Sequence, residues 1–210
     1  MSGGHGPPRR SSCGAGTARH TSSTMRVEVL QRIDEVAPRQ WDALAGERDP
    51  FVEHGFLDCL ERSGSVGEEV GWRPCHVVVR DEGGDPRGAL PLYLKDHSFG
   101  EYIFDWGWAE AAHAAGVPYY PKLVSAVPFT PVTGRRLLLR ADEPDAGAVR
   151  AALVAGARRL AREADASSMH VLFLRRDEQA DLALDGDFVL RLSYQFHWTN
   201  PGGWQSFEDY

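Results

Sequence analysis

Only two of the 23 basic residues are lysines, Lys95 and Lys122; the other 21 are arginines. Genomic base-composition bias produces such a skew by replacing lysines at positions indifferent to the change. The two that remain therefore draw attention, because an ammonium differs from a guanidinium as a point charge and in its capacity to lose a proton. The plainer alternative is a pair of solvated surface lysines. Between them, His97, Glu101 and Asp105 recur every fourth residue and would share one face of a helix, as metal ligands do. The aromatic alternation Tyr102, Phe104, Trp106, Trp108 argues instead for a strand, which would not align the trio. They then read as hydrogen-bonding groups of a loop and strand edge, and no metal site is expected.

The aromatic set Tyr102, Phe104, Trp106, Trp108, Tyr119, Tyr120 and Phe129 is dense for one stretch. Core packing explains much of it, but Tyr and Trp carry a polar handle. Proline-rich loops beside them, with Lys122, Thr130 and Arg135, are equally what the wall of a cleft needs for a ligand bearing an amide or phosphate. A second polar group, Gln195, Phe196, His197, Trp198 and Asn200, would place Gln195, His197 and Thr199 on one strand face. There a lone histidine is either a hydrogen-bonded structural residue or a base. No glycine-rich nucleotide loop, serine-centred elbow or zinc spacing occurs.

The elements that must position these residues follow from periodicity. A strand is expected near 27–31, and a helix that Pro38 opens and Gly46 and Pro50 end. A second helix starts at about Glu53. Trp72 to Arg80 and Arg87 to Lys95 form a hairpin around Asp81 to Pro86. The aromatic strand from Tyr102 leads into a helix over 109–115. Residues 118–131 are too proline-rich for an interior helix or a central strand along their full length and read as short extended pieces around a shaped loop. A strand over 136–140, the longest helix over 145–163, a strand over 170–174, a short helix over 177–184 and a strand over 188–198 complete the pattern. Ser206 then reads as the N-cap of a helix that has just begun at the last residues.

Length and composition fit one globular domain, and the formal charge is −7. Residues 1–24 hold Arg9, Arg10 and Arg19 but no acid, so the remaining 20 basic residues face all 30 acidic ones. That balance argues against a nucleic-acid backbone as the main partner. No apolar run approaches the roughly 20 residues of a membrane span. Three cysteines, Cys13, Cys59 and Cys75, without a CxxC or Cys/His cluster suit a reducing cytoplasm. Residues 1–24 have too little apolar content to offset the entropy of ordering and are expected to be disordered. A domain over 25–203 and a segment starting at 204–210 that leads into a further half complete the expected organisation.

Four stretches carry a resemblance: PLYLKDHSFGEYIFDWGWA (91–109), YYPKLVSAVPFTPVTGRRLL (119–138), SSMHVLFL (167–174) and QFHWTN (195–200). Through them the chain resembles the FemAB-like predicted N-acyltransferases, bacterial peptidoglycan biosynthesis/recognition proteins of the GNAT superfamily, from about Met25 to Tyr210. The resemblance implies a GNAT-like acyl-CoA N-acyltransferase fold, a mixed α/β (α+β) architecture whose mostly antiparallel central sheet is flanked by helices. It also implies transfer of an acyl or aminoacyl group to a small-molecule amine or peptide acceptor without a metal. Positioning, carbonyl polarisation and a general base would supply the catalysis. Members continue into a basic segment and a second acyltransferase-like half, so this chain corresponds to the front half.

One stretch departs from the superfamily pattern. Where such enzymes grip the pyrophosphate of coenzyme A through backbone N–H groups at a helix N-terminus, Arg140 to Gly147 is acidic and lacks the Q/RxxGxG/A motif. Firm cofactor binding by this half is therefore not expected; acyl-CoA or an aminoacyl donor would bind the whole protein. The residues assigned to an acceptor cleft are Lys95, Tyr102, Tyr119, Lys122, Thr130 and Arg135, with Lys122 contacting a carboxylate or phosphate. Glu101, Asp105 and His197 are the alternative bases. A non-catalytic scaffold binding a cell-wall precursor or peptide, or an inactive fragment, is the rival expectation.

Overall fold

The structure is a computed structural model and describes residues 25–46, 48–183, 186–192, 194, 196–200 and 202–209. The expected disorder of residues 1–24 and the candidate Gln195 lie outside these. The chain runs β1 (Arg26–Leu30), α1 (Pro38–Ala45), α2 (His54–Arg62), β2 (Trp72–Pro74), β3 (His76–Arg80), β4 (Pro86–Leu90), β5 (Tyr93–Lys95), α3 (Trp106–Ala114), β6 (Lys122–Ser125), β7 (Leu138–Leu139), α4 (Ala146–Glu163), β8 (Met169–Val171) and α5 (Arg176–Ala183). No described helix is long and apolar enough to cross a membrane.

The mixed, mostly antiparallel sheet expected from the sequence is present, divided into two four-stranded sheets ordered β1-β3-β4-β7 and β2-β5-β6-β8. Both contain arms of one long hairpin, interrupted at Cys75 on one arm and at Pro91 and Leu92 on the other. The Cys75 N–H still donates to Leu92 O at 2.8 Å, which keeps the arms together at the break. β6 and β7 both pair with the second arm, Val124 opposite Tyr93 and Leu138 opposite Ala89, so residues 125–137 leave the ladder and return to it. β8 joins β6 in parallel.

Alternation along β3 distributes the core. Val77 and Val79 pack with Val149, Leu153 and Ala157 of α4, whereas Val78 packs with Trp41 and Leu44 of α1 and Leu57 of α2. With both faces covered, the central strands read as an apolar run rather than an alternating one. α1 starts at Pro38 in its first turn and ends at Gly46, whose φ of 70° suits a glycine. α4 is capped by the Asp145 side chain, which accepts from the Ala148 N–H.

Three expectations need correction. The strand from Tyr102 does not form: Tyr102 and Phe104 have φ of 59° and 51°, outside extended geometry, and the helix already begins at Trp106. Among the described residues of 188–198 no strand forms either. They find no ladder partner, and Val189, Leu192, Tyr194 and Phe196 are exposed. At the end of the chain Phe207–Asp209 make a single 3-10 turn and not an α-helical one; Ser206 precedes it as foreseen, and the Asp209 carboxylate reaches back to accept from the Gln205 and Ser206 N–H groups.

Two helical glycines test this packing with opposite signs. A Cβ at Gly156 would lie 2.7 Å from Val27 Cγ1 and 2.9 Å from Val77 Cγ1, whereas one at Gly55 would meet nothing within 4 Å. Gly55→Ala is expected to raise stability by about 1 kcal/mol through helix propensity. Gly156→Ala is expected to lower it by about 1–2 kcal/mol, because overpacking against stiff valines outweighs the same gain. Urea denaturation midpoints check both.

Candidate functional site

Antiparallel pairing of β5 with β6 places Lys95 directly opposite Lys122. The solvated-surface reading of the two lysines is incorrect, since both are fully buried. Like charges facing each other across a ladder repel, and the carboxylates of Glu101 and Asp105 lie among them to compensate. Lys122 Nζ is 2.6 Å from Asp105 Oδ2 and 2.9 Å from Glu101 Oε2, and it donates to Ser98 Oγ at 2.8 Å. Lys95 Nζ lies 3.8 Å from Glu101 Oε1, donates to Phe99 O at 3.0 Å and sits 3.5 Å from the centre of the Trp72 ring. The Tyr119 hydroxyl donates to Asp105 Oδ2 at 2.7 Å, and Tyr120 and Ser98 hydroxyls are 2.7 Å apart.

The acids reach this point because the chain from 96 to 105 is tied down along its length. Trp72 Nε1 donates to Phe99 O at 3.1 Å, and the Phe129 N–H donates to Gly100 O at 3.1 Å. Gly100 has φ of 80°, and a Cβ there would run into the Phe129 ring at 2.6 Å. Asp105 occupies the N-cap position of α3, yet its side chain makes no capping bond. Lys122 and Tyr119 claim it instead. Asp105 Oδ1 and both Glu101 oxygens lack a directed hydrogen bond. The short Glu101–Lys122 contact is thus an ion pair with poor hydrogen-bond angles.

The environment shifts these groups in different directions. Desolvation pushes the Lys95 ammonium down to about 7 against the pull of Glu101. Burial raises Glu101, with Lys122 opposing. Burial also works against Asp105, but hydrogen bonds from Lys122, Ser98 and Tyr119 outweigh it and hold this carboxyl below its ordinary value. Tyr119 is raised by burial and by its bond to Asp105.

Beside the cluster lies a cavity of about 1290 Å³, bounded by α3, by residues 167–174 around β8, and by 187–192 with Tyr194. Tyr119 lines it, and the hydroxyl of the same residue is bonded to Asp105. His170 and Ser168 also line it, with His170 Nε2 3.0 Å from Ser168 Oγ. Burial, reinforced by the charge of Lys122, lowers His170 to about 4, so the imidazole is neutral at pH 7.

Of the residues singled out from the sequence, Lys95, Glu101, Asp105, Tyr119 and Lys122 come together. The other residues assigned to the cleft or as bases do not join them. Tyr102 is exposed. Thr130 Oγ1 donates to Pro128 O at 3.1 Å. Arg135 caps the C-terminus of α1 through Leu44 O and Ala45 O. His197 is exposed and outside the cavity wall. Tyr120, named in the aromatic set, also reaches the cluster; sequence reasoning missed Ser98, Ser168 and His170. Ser98 is close in sequence to Lys95, and Ser168 and His170 fall within the stretch SSMHVLFL. Among the described residues no three His, Cys, Asp or Glu side chains are placed to hold a metal ion. His97 Nε2 is 3.0 Å from Val70 O. At the N-terminus of α4, Glu143 pairs with Arg87, Asp145 caps the helix, and the Asp145 N–H donates to Glu143 Oε1.

These features define a mixed α/β protein whose buried lysine–carboxylate cluster flanks a cavity at a sheet edge. The chain belongs to the FemAB-like family, described as peptidoglycan biosynthesis/recognition, which it matches over residues 32–210. No curated protein matches it in sequence. Among solved structures, it is similar to a ribosomal-protein-alanine N-acetyltransferase from Brucella melitensis biovar Abortus 2308, with TM-score 0.45, 11% identity, and coverage of 84% of this chain and 98% of that one. It is also similar to a GCN5-related N-acetyltransferase from Ralstonia eutropha JMP134, with TM-score 0.46, 15% identity, and coverage of 83% and 99%.

Two consequences are measurable. Replacing Lys122 by Met leaves two buried carboxylates without their main counter-charge and is expected to cost about 3–5 kcal/mol at pH 7. Adding Glu101→Gln and Asp105→Asn should recover part of the loss, as read by urea denaturation. Lys95 has a folded pKa below its unfolded one, so the unfolded chain binds more protons from about 7 up to about 10.4. Stability contributed by this group therefore rises with pH across that window. The difference in urea midpoint between wild type and Lys95→Met should follow that rise.

Proposed function

We propose that this chain carries an N-acyltransferase site that passes an acyl or aminoacyl group to an amine acceptor in the metabolism of cell-wall precursors in the cytoplasm. One observation carries the reading: Tyr119 belongs both to the cavity wall and, through its hydroxyl proton, to Asp105. A phenol that donates its proton inward presents oxygen lone pairs outward, where an N–H group of an amine can donate. Family membership supports the same reading.

In this scheme the cavity holds the acceptor amine against the donor carbonyl, so that much of the rate comes from positioning. The amine nitrogen forms the new bond to the carbonyl carbon, and the leaving group departs with its electron pair. The proton released by nitrogen passes to Tyr119 oxygen as the phenolic proton moves to Asp105. The neutral His170 beside Ser168 offers a second acceptor. Lys122 orients Asp105 and balances its charge. The donor, acyl-CoA or an aminoacyl carrier, is held by contacts beyond the α4 N-terminus, where the Ala148 N–H already binds the chain's own Asp145 carboxylate.

That self-capped terminus also favours a second reading, a binding module on an acyltransferase scaffold. Calorimetry with coenzyme A separates the two, since binding supports the enzyme. For the enzymatic reading, incubation with acyl donors and a panel of amine acceptors should yield acylated amine by mass spectrometry. Asp105→Asn should slow the transfer by about 10²-fold or more, and Tyr119→Phe should slow it as well. Transfer at an unchanged rate in both variants would contradict the relay.

A further inference from the structure

The transfer scheme leaves a proton on Asp105 and gives Glu101 and Lys95 no task. Both are buried, and with Lys122 they continue the series of polar groups away from the cavity. Tyr119 Oη is 2.7 Å from Asp105 Oδ2, which is 2.6 Å from Lys122 Nζ. Lys122 Nζ is 2.9 Å from Glu101 Oε2, and the other oxygen of that carboxylate, Oε1, is 3.8 Å from Lys95 Nζ. Lys95 Nζ in turn lies 3.5 Å from His97 Nδ1. The His97 side chain is 31% exposed, whereas those of Lys95, Glu101, Asp105 and Lys122 are fully shielded.

A cluster that only held the loop in place would have its acids tied by directed hydrogen bonds. Neither Glu101 oxygen has one, so a proton can be added to this carboxylate without breaking a bond, and the group can turn about its last side-chain torsion. Desolvation, opposed by Glu101, Asp96 and Asp105 and reinforced by Lys122, brings Lys95 down to about 7, so near neutrality both forms of this amine are populated. With Lys95 neutral, two carboxylates face the single ammonium of Lys122. One further proton on Lys95 completes the balance of charge inside a region that water does not reach.

We propose that Glu101 and Lys95 draw the reaction proton away from Asp105 through Lys122, and so return the Tyr119–Asp105 pair to its starting state. Lys122 gives one ammonium proton to Glu101 Oε2 and takes the proton that Asp105 has received. The Glu101 carboxyl turns and passes its proton to the Lys95 amine. Lys95 gives a proton to His97 Nδ1, which releases the Phe99 N–H it otherwise accepts, and the imidazolium loses a proton to water. One proton has then moved from Asp105 to solvent, and every group is as it began. The source of that proton, the acceptor amine, rests on the enzymatic reading above; the path itself does not.

Solvent exchange of the Lys122 ammonium protons, followed by NMR in the whole chain with isotopically labelled lysine, reads the path without acyl transfer. In the wild type the rate should rise with pH up to about 7, where Lys95 becomes the free amine, and level off above it. Exchange through opening of the fold would instead keep climbing, because hydroxide catalyses it. Glu101→Gln keeps the shape of the side chain but carries no acid proton, and it should slow Lys122 exchange about tenfold; Lys95→Met should do the same. A structural role moves this readout the other way, since loosening the cluster hastens exchange. In the transfer assay Lys95→Met should lower kcat about tenfold or more at unchanged KM and remove the rise of kcat through pH 7.

Lys122 exchange that is unchanged or faster in either variant would overturn the proposal, as would wild-type exchange that climbs steadily through and above pH 7. If Lys95→Met does not fold, Glu101→Gln and the wild-type pH dependence still decide. Exchange that levels off and slows as expected, in a chain that acylates no amine, keeps the path and removes the enzymatic reading. Acyl transfer with kcat and its pH profile unchanged in Lys95→Met keeps the enzyme and removes the path.

Discussion

The ion cluster of Lys122 with Asp105 and Glu101, fully shielded from solvent, is the constraint on which the functional face depends. Removing four charged side chains, Lys95 included, from water is expensive, and their mutual attraction offsets that cost only when the geometry is close. Here the geometry is only partly favourable. Asp105 accepts directed hydrogen bonds from Lys122 and Tyr119, whereas Glu101 has charge contacts without a well-directed bond. A core chosen for stability alone would place apolar residues here. The cluster therefore points to a role in fixing one arrangement of the chain.

That arrangement is the path of residues 96–105. The loop starts at the end of β5, crosses above Trp72 and delivers Asp105 to the start of α3, and at each stage a group from the sheet holds it. Lys95 and Trp72 grip Phe99 O, Phe129 grips Gly100 O, and Lys122 holds both acids. The diversion of Asp105 from helix capping to Tyr119 couples this buried network to the cavity along β8. Loss of Lys122 would release the acids, the start of α3 and the orientation of Tyr119 together, because all of them meet at one ammonium.

Much of this was legible in the sequence, and for identifiable reasons. α1, α2, α4 and the long hairpin are set by local signals: Pro38 at a helix start, a turn-rich stretch at 81–86, and the apolar stripe through Val149 and Leu153. Lys95 and Lys122 stood out by composition, but their burial did not, because a lysine's solvation depends on the carboxylates the fold brings to it. The aromatic alternation from Tyr102 was misleading. Alternation implies a strand only where a partner strand is present, and here Lys122 bends the chain into a loop. The described residues of the alternating stretch 188–198 likewise find no partner strand among the described residues. His170 escaped notice because one histidine on a short strand carries no signal until β6 lies beside it.

Because the chain contains only two lysines, isotopic labelling of lysine side chains gives an NMR spectrum with two signals, and their pH titration tests the buried cluster directly. The account predicts that the Lys95 signal titrates near 7, well below the ordinary lysine range, and that Asp105→Asn perturbs the Lys122 signal. Two signals titrating together near about 10.4, unaffected by the substitution at Asp105, would show solvated lysines and contradict it.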